Sequence, residues 1–231
     1  MARAADRTIA ILPVKRFEMA KARLGDELSG GTRRALTEAM VTDVLMALRR
    51  TAAVDEVLIV TSEPAAEAIG RGYGASVLHD DVEEGQSAAA LIGIAHALES
   101  GATRVLLVPG DTPALDPGEL SALLERPQIG RSVTVVPDRH GTGTNALLLT
   151  PPDVIEPAFG PDSRERHELA ATAAGVPCTI EEIPTLALDV DTAEDLAALR
   201  TALAERRGGA AHTRGMLSRL AGFGRPPNDA T

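Results

Sequence analysis

The sequence predicts an α/β fold of three layers, with a mixed, mostly parallel central sheet. Three observations point there. Short runs rich in β-branched residues and Leu, such as "VLIV" and "VLLVP", are continuously apolar, as strands buried on both faces are. Helical periodicity follows almost every such run, the signature of helices packed on both sides of a sheet. The 231-residue length suits one such domain with at most a tail.

The elements follow in order. The first strand is placed at 8–12. Leu36, Met40, Val41, Val44, Leu45 and Leu48 then recur at helical spacing. A strand at 56–61, a helix at 65–71 and a strand at 75–79 come next. Ala88, Leu91, Ile92, Ala95 and Leu98 mark another helix, ahead of a strand at 104–108 and a helix at 118–125. Strands at 132–136 and 145–149 are joined by the short loop "PDRHGTGT". This interrupts the alternation and predicts an antiparallel element. A helix at 164–174, a strand at 178–183 and a helix at 193–205 complete a catalytic-size domain over 1–205. From Arg206 the paired glycines, paired prolines and weak periodicity predict a flexible tail over 206–231, with one short helix at 216–220.

Composition narrows the function classes. Aromatics are 2% with no Trp, so stacking platforms for single-stranded nucleic acid are missing. The formal charge of −10 argues against general binding to nucleic acid or an anionic membrane. The lone Cys178 lies in a largely apolar run and reads as a buried strand residue, and a single cysteine fits a reducing compartment. No apolar run approaches membrane-spanning length and no signal-peptide layout is present, so the expected location is the cytoplasm.

In open α/β sheets ligands bind beyond the carboxyl ends of the strands, so the informative residues follow the strands. After the first comes "PVKRFEMAKARLG". It has no glycine before Gly25, where many nucleotide-binding folds place a Gly-rich turn. It carries Lys15, Arg16, Lys21 and Arg23 instead. Lys15 and Lys21 are the only lysines in a chain with 23 basic Lys and Arg residues. A compact ammonium and a planar guanidinium are not interchangeable toward phosphate, so the two lysines mark a polyphosphate-binding loop.

Three further stretches carry chemistry. In "LLVPGDTPAL" Asp111 ends an apolar strand, where a carboxylate can hold a divalent cation, and Gly110 permits close approach. In "LALDVDTAEDL" Asp189 and Asp191 are two apart, so on an extended segment both point to one face and repel unless a cation lies between them. With Asp111 they compose a three-carboxylate Mg²⁺ site. Asp191 with Glu194 also reads as a capping-box-like start to the last helix. In "GTGTN" and "FGPDSRERH", Gly141, Gly143 and Thr144 offer backbone N–H groups and a hydroxyl, and Ser163 reads as the N-cap of a helix beginning at Arg164. Arg164 and Arg166 in the first turn oppose the helix dipole, a conflict that a bound anion would remove. "EEGQSAAALIG" adds Gly85 and Ser87 at a helix start, where they can meet a nucleotide base or ribose, and Ser87 reads equally well as an N-cap. No nucleophile–His–Asp arrangement is present among these motifs.

A cationic loop, a carboxylate cluster and an anion pocket suit nucleotidyl transfer from a nucleoside triphosphate to an anionic acceptor. That chemistry needs positioning and charge neutralisation, with no covalent nucleophile. A nucleotidyltransferase for a sugar phosphate or another cofactor, and a non-catalytic nucleotide sensor, are the competing readings; three clustered aspartates speak against the sensor.

Together "LPVKRFEMAKARL", "VLLVPGDTPAL", "GTGTNALLL", "FGPDSRERH" and "ALDVDTAEDL" resemble the guanylyltransferase family of coenzyme F-420 biosynthesis, in order, across residues 8–205. The resemblance implies a Rossmann-like nucleotidyltransferase fold. It implies GTP as donor, with phosphoenolpyruvate or 2-phospho-L-lactate as acceptor, both of which present phosphate and carboxylate. Thr144, Gly160 and Ser163 would hold the acceptor, Asp111, Asp189 and Asp191 would hold Mg²⁺, and Lys15, Lys21 and Arg23 would face the GTP phosphates. It also implies hand-over of a labile product to the next enzyme of the pathway.

Overall fold

The computed structural model describes residues 7–25, 27–126 and 130–223. The strands are β1 (Thr8–Val14), β2 (Glu56–Thr61), β3 (Ser76–His79), β4 (Arg104–Leu107), β5 (Ser132–Pro137), β6 (Thr144–Thr150) and β7 (Cys178–Ile180). The helices are α1 (Gly30–Arg50), α2 (Pro64–Gly72), α3 (Gln86–Glu99), α4 (Pro117–Leu124), α5 (Ser163–Ala173), α6 (Ala193–Glu205) and α7 (Ala211–Phe223).

All seven strands form one sheet in the order β3-β2-β1-β4-β6-β5-β7. β1, β2, β3 and β4 are mutually parallel neighbours, β6 runs antiparallel to both β4 and β5, and β7 is parallel to β5. The expected mixed, mostly parallel sheet is therefore present, with the reversal at the "PDRHGTGT" hairpin.

Strand periodicity sorts the core into layers. Along β1, Ala10, Leu12 and Val14 face a cluster shared with Val41, Val44 and Leu45 of α1, Ala66 of α2 and Leu120 of α4. Ile9 and Ile11 face the opposite cluster with Ala89, Ala90 and Ile94 of α3 and Ala171 of α5. α3 sits close to the sheet because Gly93 has no side chain: a Cβ there would lie 2.6 Å from Ile11 Cγ2. Gly110 is used likewise. A Cβ there would lie 2.9 Å from Val41 Cγ2 of α1, so its smallness serves packing.

Three expectations change. Residues 211–223 form a 13-residue helix, where a flexible segment with a helix at 216–220 is predicted from sequence. Thr213, Met216 and Leu217 are buried, the last two in a third cluster with Leu36 and Met40 of α1 and Leu199 and Leu203 of α6. Asp43 of α1 caps the helix by accepting from the backbone N–H groups of His212 (3.1 Å) and Thr213 (2.7 Å). That cap comes from a residue 169 positions away, so no local signal announces it. Residues 224–231 of the expected tail lie outside the described residues. Cys178 is half-buried at the start of the sheet's last strand rather than buried in the core. The last helix starts from a capping box of Thr192 and Asp195, which leaves Asp191 and Glu194 out of the cap.

Candidate active site

The chain leaves β1 to one side to make β2 and returns to make β4 on the other, so a topological switch point lies between β1 and β4. Lys15 follows the first of these strands and Pro109–Asp111 the second. Three adjoining cavities open along this edge. One, of about 220 Å³, is lined by Lys15, Lys21, Gly110, Asp111 and Asp191. A second, of about 380 Å³, continues past Lys15 to Ser62, Asp80, Glu83 and Gly85. A third, of about 410 Å³, lies on the other side and is lined by Arg23, Thr144, Gly160, Ser163 and Asp189, again with Asp111 and Asp191. Gln86 borders all three. Asp111 and Asp191 thus stand where the first and third cavities meet; the cavities around Lys15 are labelled donor and the third acceptor after the roles expected from sequence.

The first loop is shaped by two short 3₁₀ turns, Phe17–Met19 and Ala22–Leu24, pinned by the fully buried Phe17 and Leu24. Between them Lys21 takes a left-handed backbone (φ 59°), a conformation that disfavours side chains other than glycine and so signals a local constraint. The result is a buried ammonium. The Lys21 side chain is only 4% exposed, with Nζ 2.6 Å from Asp111 Oδ2 and 3.0 Å from Asp191 Oδ1. Burial alone would lower its pKa, but the carboxylates of Asp111 and then Asp191, with their hydrogen bonds, outweigh it and hold the pKa above the usual lysine value.

The aspartate pair lies as its spacing predicts. Val190 is fully buried between them, and its N–H donates to the carbonyl of Asp111. Asp189 accepts from Asn145 Nδ2 at 3.0 Å, and the same Nδ2 donates to the Leu186 carbonyl at 2.8 Å. Burial, then the neighbouring Asp111 and, less strongly, Asp191, push the Asp189 carboxyl up to about 6, against the Asn145 hydrogen bond. Among the described residues no group of three His, Cys, Asp or Glu side chains is arranged to hold a metal ion, and the Lys21 ammonium is the cation between Asp111 and Asp191. The donor chemistry nevertheless suits a hard divalent cation. Asp111, Asp189 and Asp191 are among five carboxylates that border one cavity, Asp111 Oδ1 is buried without a partner, and Asp189 is raised by burial and then by its like-charged neighbours.

Opposite the aspartates, the acceptor cavity is lined by neutral polar groups. Thr144 opens β6, and Ser163, the first residue of α5, is 1% exposed. Ser163 does not cap its helix: Asp162, with φ 54°, holds the N-cap position, and Ser163 Oγ donates to Thr144 Oγ1 at 3.1 Å. Behind them His167 is fully buried, with Nδ1 3.0 Å from Thr144 Oγ1 and Nε2 accepting from the Ala158 N–H at 2.9 Å. Gly160, at φ 111°, turns the chain between Phe159 and Pro161 in a conformation open to glycine. Arg164 and Arg166 need no anion to settle their place in the first turn. Arg164 pairs with Glu168 (2.8 Å) and donates to the Gly141 carbonyl, and Arg166 donates to the carbonyls of Ala158 and Phe159.

The cavities therefore gather most of the residues singled out from sequence. Three are differently placed: Arg23 borders the acceptor cavity rather than the cavities around Lys15, Lys21 is committed to two aspartates, and Ser87 borders none of the three cavities. Its Oγ accepts from the Phe159 N–H at 2.9 Å and ties the Gly160 loop to α3. Arg16 is engaged by Glu83 across the second cavity. Sequence reasoning missed Gln86, Asn145 and the role of His167. All three lie inside the quoted motifs, but Asn145 and His167 meet partners distant in sequence, and Gln86 is marked only by the three cavities that converge on it.

Comparison with known proteins places the chain. The family model described as "Guanylyl transferase CofC like" matches residues 8–220, which takes the matched region beyond residue 205 and into α7. The phosphoenolpyruvate guanylyltransferase of Conexibacter woesei is 59% identical over 214 residues, 92% of this chain and 96% of that one. Its namesake in Sphaerobacter thermophilus is 38% identical over 191 residues, 82% and 90% of the two chains. Among solved structures, a putative nucleotide-diphospho-sugar transferase from Desulfovibrio desulfuricans G20 aligns with a TM-score of 0.74 at 18% identity, covering 94% and 96% of the two chains. A 4-diphosphocytidyl-2C-methyl-D-erythritol synthase aligns at 0.60 with 17% identity, covering 87% and 100%. These structures share the nucleotidyltransferase fold, while the family match and the 59% identity fix the kinship: this chain belongs to the CofC-like guanylyl transferases.

Proposed function

We propose that this protein transfers GMP from GTP to phosphoenolpyruvate, giving enolpyruvoyl-2-diphospho-5'-guanosine and pyrophosphate in the biosynthesis of coenzyme F-420. The observation that carries this reading is the meeting of the two sides of the site at Asp111 and Asp191. A phosphate oxygen of the acceptor attacks the α-phosphorus, the bond from that phosphorus to the bridging oxygen of the β-phosphate breaks, and pyrophosphate leaves. The acceptor phosphate is already ionised at neutral pH, so no base has to remove a proton. The carboxylates that border the cavity, Asp189 among them, are therefore free of a base's task, and His167 is buried behind Thr144 and Ser163.

The chain's own groups divide the work. Lys15 is exposed at the mouth of the donor cavities and meets the triphosphate as a point charge. Lys21 holds Asp111 and Asp191 in place. Thr144, Ser163 and the backbone around Gly160 orient the acceptor's phosphate and carboxylate. Mg²⁺ held by Asp111, Asp189 and Asp191 would neutralise charge on the reacting phosphates. Gly85 and Gln86 border the space left for ribose and base. No helix among the described residues is long and apolar enough to cross a membrane, which is compatible with work in the cytoplasm and hand-over of a labile product to the next enzyme.

The test is pyrophosphate release from GTP and Mg²⁺ with a panel of acceptors, with the product-consuming step present to pull the equilibrium. Release dependent on phosphoenolpyruvate supports the reading. Release only with 2-phospho-L-lactate, or only with a sugar phosphate, reassigns the acceptor, and no release with any of them ends it.

A further inference from the structure

The acceptor cavity presents a hydroxyl whose proton has only one way to point. His167 is fully buried, and its Nε2 faces the N–H of Ala158, which can only donate. Nε2 must therefore be the unprotonated nitrogen. Burial, reinforced by the nearby Arg166 charge, lowers the His167 pKa to about 4, so near neutral pH the ring carries one proton, and that proton sits on Nδ1. Nδ1–H donates to Thr144 Oγ1 (3.0 Å), and Ser163 Oγ–H donates to the same oxygen (3.1 Å). A hydroxyl oxygen has two lone pairs, and both are taken. The Thr144 O–H is left to donate away from both partners, and Thr144 borders the acceptor cavity.

We propose that His167 is a positioning residue: it locks the Thr144 hydroxyl as an outward donor and so tunes the acceptor cavity for an anionic oxygen. The same imidazole acts on the loop. By accepting from Ala158, and with its ring edge-on to Phe159 at 5.5 Å, it holds the segment that carries Gly160. One neutral, buried side chain thereby couples two of the three acceptor-side positions without touching the ligand. The inference rests on the acceptor reading above for the identity of the anion, but the direction of the proton does not depend on it.

Two experiments on the full chain separate those layers. Histidine-selective ¹⁵N NMR, with His167 assigned from the spectrum of His167→Asn, should show a neutral ring protonated at Nδ1 and unchanged from pH 8 down to about 5. An Nε2-protonated ring, or one that takes up charge above pH 6, overturns the proposal whatever the substrate is. Kinetically, Thr144→Val and His167→Leu should each raise the acceptor KM by roughly tenfold or more while leaving the GTP KM within about twofold, and the double variant should lose clearly less than the product of the two single losses, the remainder coming from the loop that His167 also holds. Penalties that multiply in the double variant, or an unchanged acceptor KM in His167→Leu, overturn it. Should His167→Leu fail to fold, His167→Asn decides the point. Its amide N–H stands near the place of Nδ1–H, so it should keep the acceptor KM within about threefold of wild type, and a loss as large as that of Thr144→Val counts against the proposal. If the wild-type chain turns over no acceptor, the acceptor reading fails while the NMR result still decides the proton's direction.

Discussion

Two knots of side chains flank the reaction space, and they are built from opposite materials. On the donor side Lys21 ties Asp111 to Asp191 with formal charges. On the acceptor side Thr144, Ser163 and His167 are tied by hydrogen bonds between neutral groups. The charged knot leaves Asp111 Oδ1 unpartnered beside an Asp189 carboxyl raised first by burial and then by the neighbouring Asp111, and so suits the arrival of a cation with a polyphosphate. The neutral knot carries no net charge of its own and aims one donor, the Thr144 hydroxyl, outward. Of the arginines nearby, Arg164 and Arg166 are occupied by Glu168 and backbone carbonyls, while Arg23 borders the same cavity.

The largest effect should come from breaking the charged knot. Lys21→Met leaves Asp111 and Asp191 without their cation, and we expect turnover to fall by about a thousandfold, since charge placement dominates this chemistry. Stability should fall by about 3 kcal/mol in urea unfolding, the low end for a broken buried pair because the Asp191 side chain is 51% exposed. Turnover within tenfold of wild type would reduce Lys21 to a structural tie.

Asp189→Asn comes next, with a loss of roughly a hundredfold in turnover and a telling sign in stability. The folded-state pKa of Asp189 lies above its unfolded value, at about 6 against 3.8. Between those values the folded chain binds more protons than the unfolded one, so metal-free wild type loses stability as pH rises from 4 to 6. In EDTA the Asn variant should be the more stable protein above pH 6, by at most about 3 kcal/mol, with the difference vanishing below pH 4. Added Mg²⁺ should raise the melting temperature of the wild type more than that of the variant. An Asn variant less stable than wild type at pH 7 without metal would contradict the repulsion.

Smaller effects sharpen the contrast. Lys15→Arg, at an exposed position, should cost about fivefold in kcat/KM without changing stability, whereas Lys21→Arg should damage both because the buried site has no room for a guanidinium. Arg164→Ala should leave the acceptor KM within about twofold. A tenfold rise would restore that arginine as an anion ligand and dissolve the distinction between the two knots.

Much of this was legible from residue order. Continuous apolar runs marked the strands, the unusual hairpin marked the antiparallel β6, and the two-residue spacing of Asp189 and Asp191, with Val190 buried between, set both carboxylates toward one cavity. What stayed hidden depends on partners far apart in the chain. Lys21 looks like a free cation until Asp111 and Asp191 close on it, across 90 and 170 positions. Ser163 looks like a cap until Thr144 claims its hydroxyl, and α7 looks like a tail until Asp43 caps it from α1. Local pattern reports propensity and face; it does not report which distant group will satisfy a buried polar atom.

The central claim is that an acceptor phosphate in the Thr144–Ser163 cavity attacks across the Asp111–Asp191 junction. Phosphoenolpyruvate labelled with ¹⁸O in its phosphate oxygens, incubated with GTP and Mg²⁺ and followed by ³¹P NMR, tests it most directly. The account predicts that all the label enters the guanosine diphospho product, including the bridging oxygen between its two phosphorus atoms, and that pyrophosphate stays unlabelled. Label in pyrophosphate, or a bridging oxygen free of ¹⁸O, would contradict it.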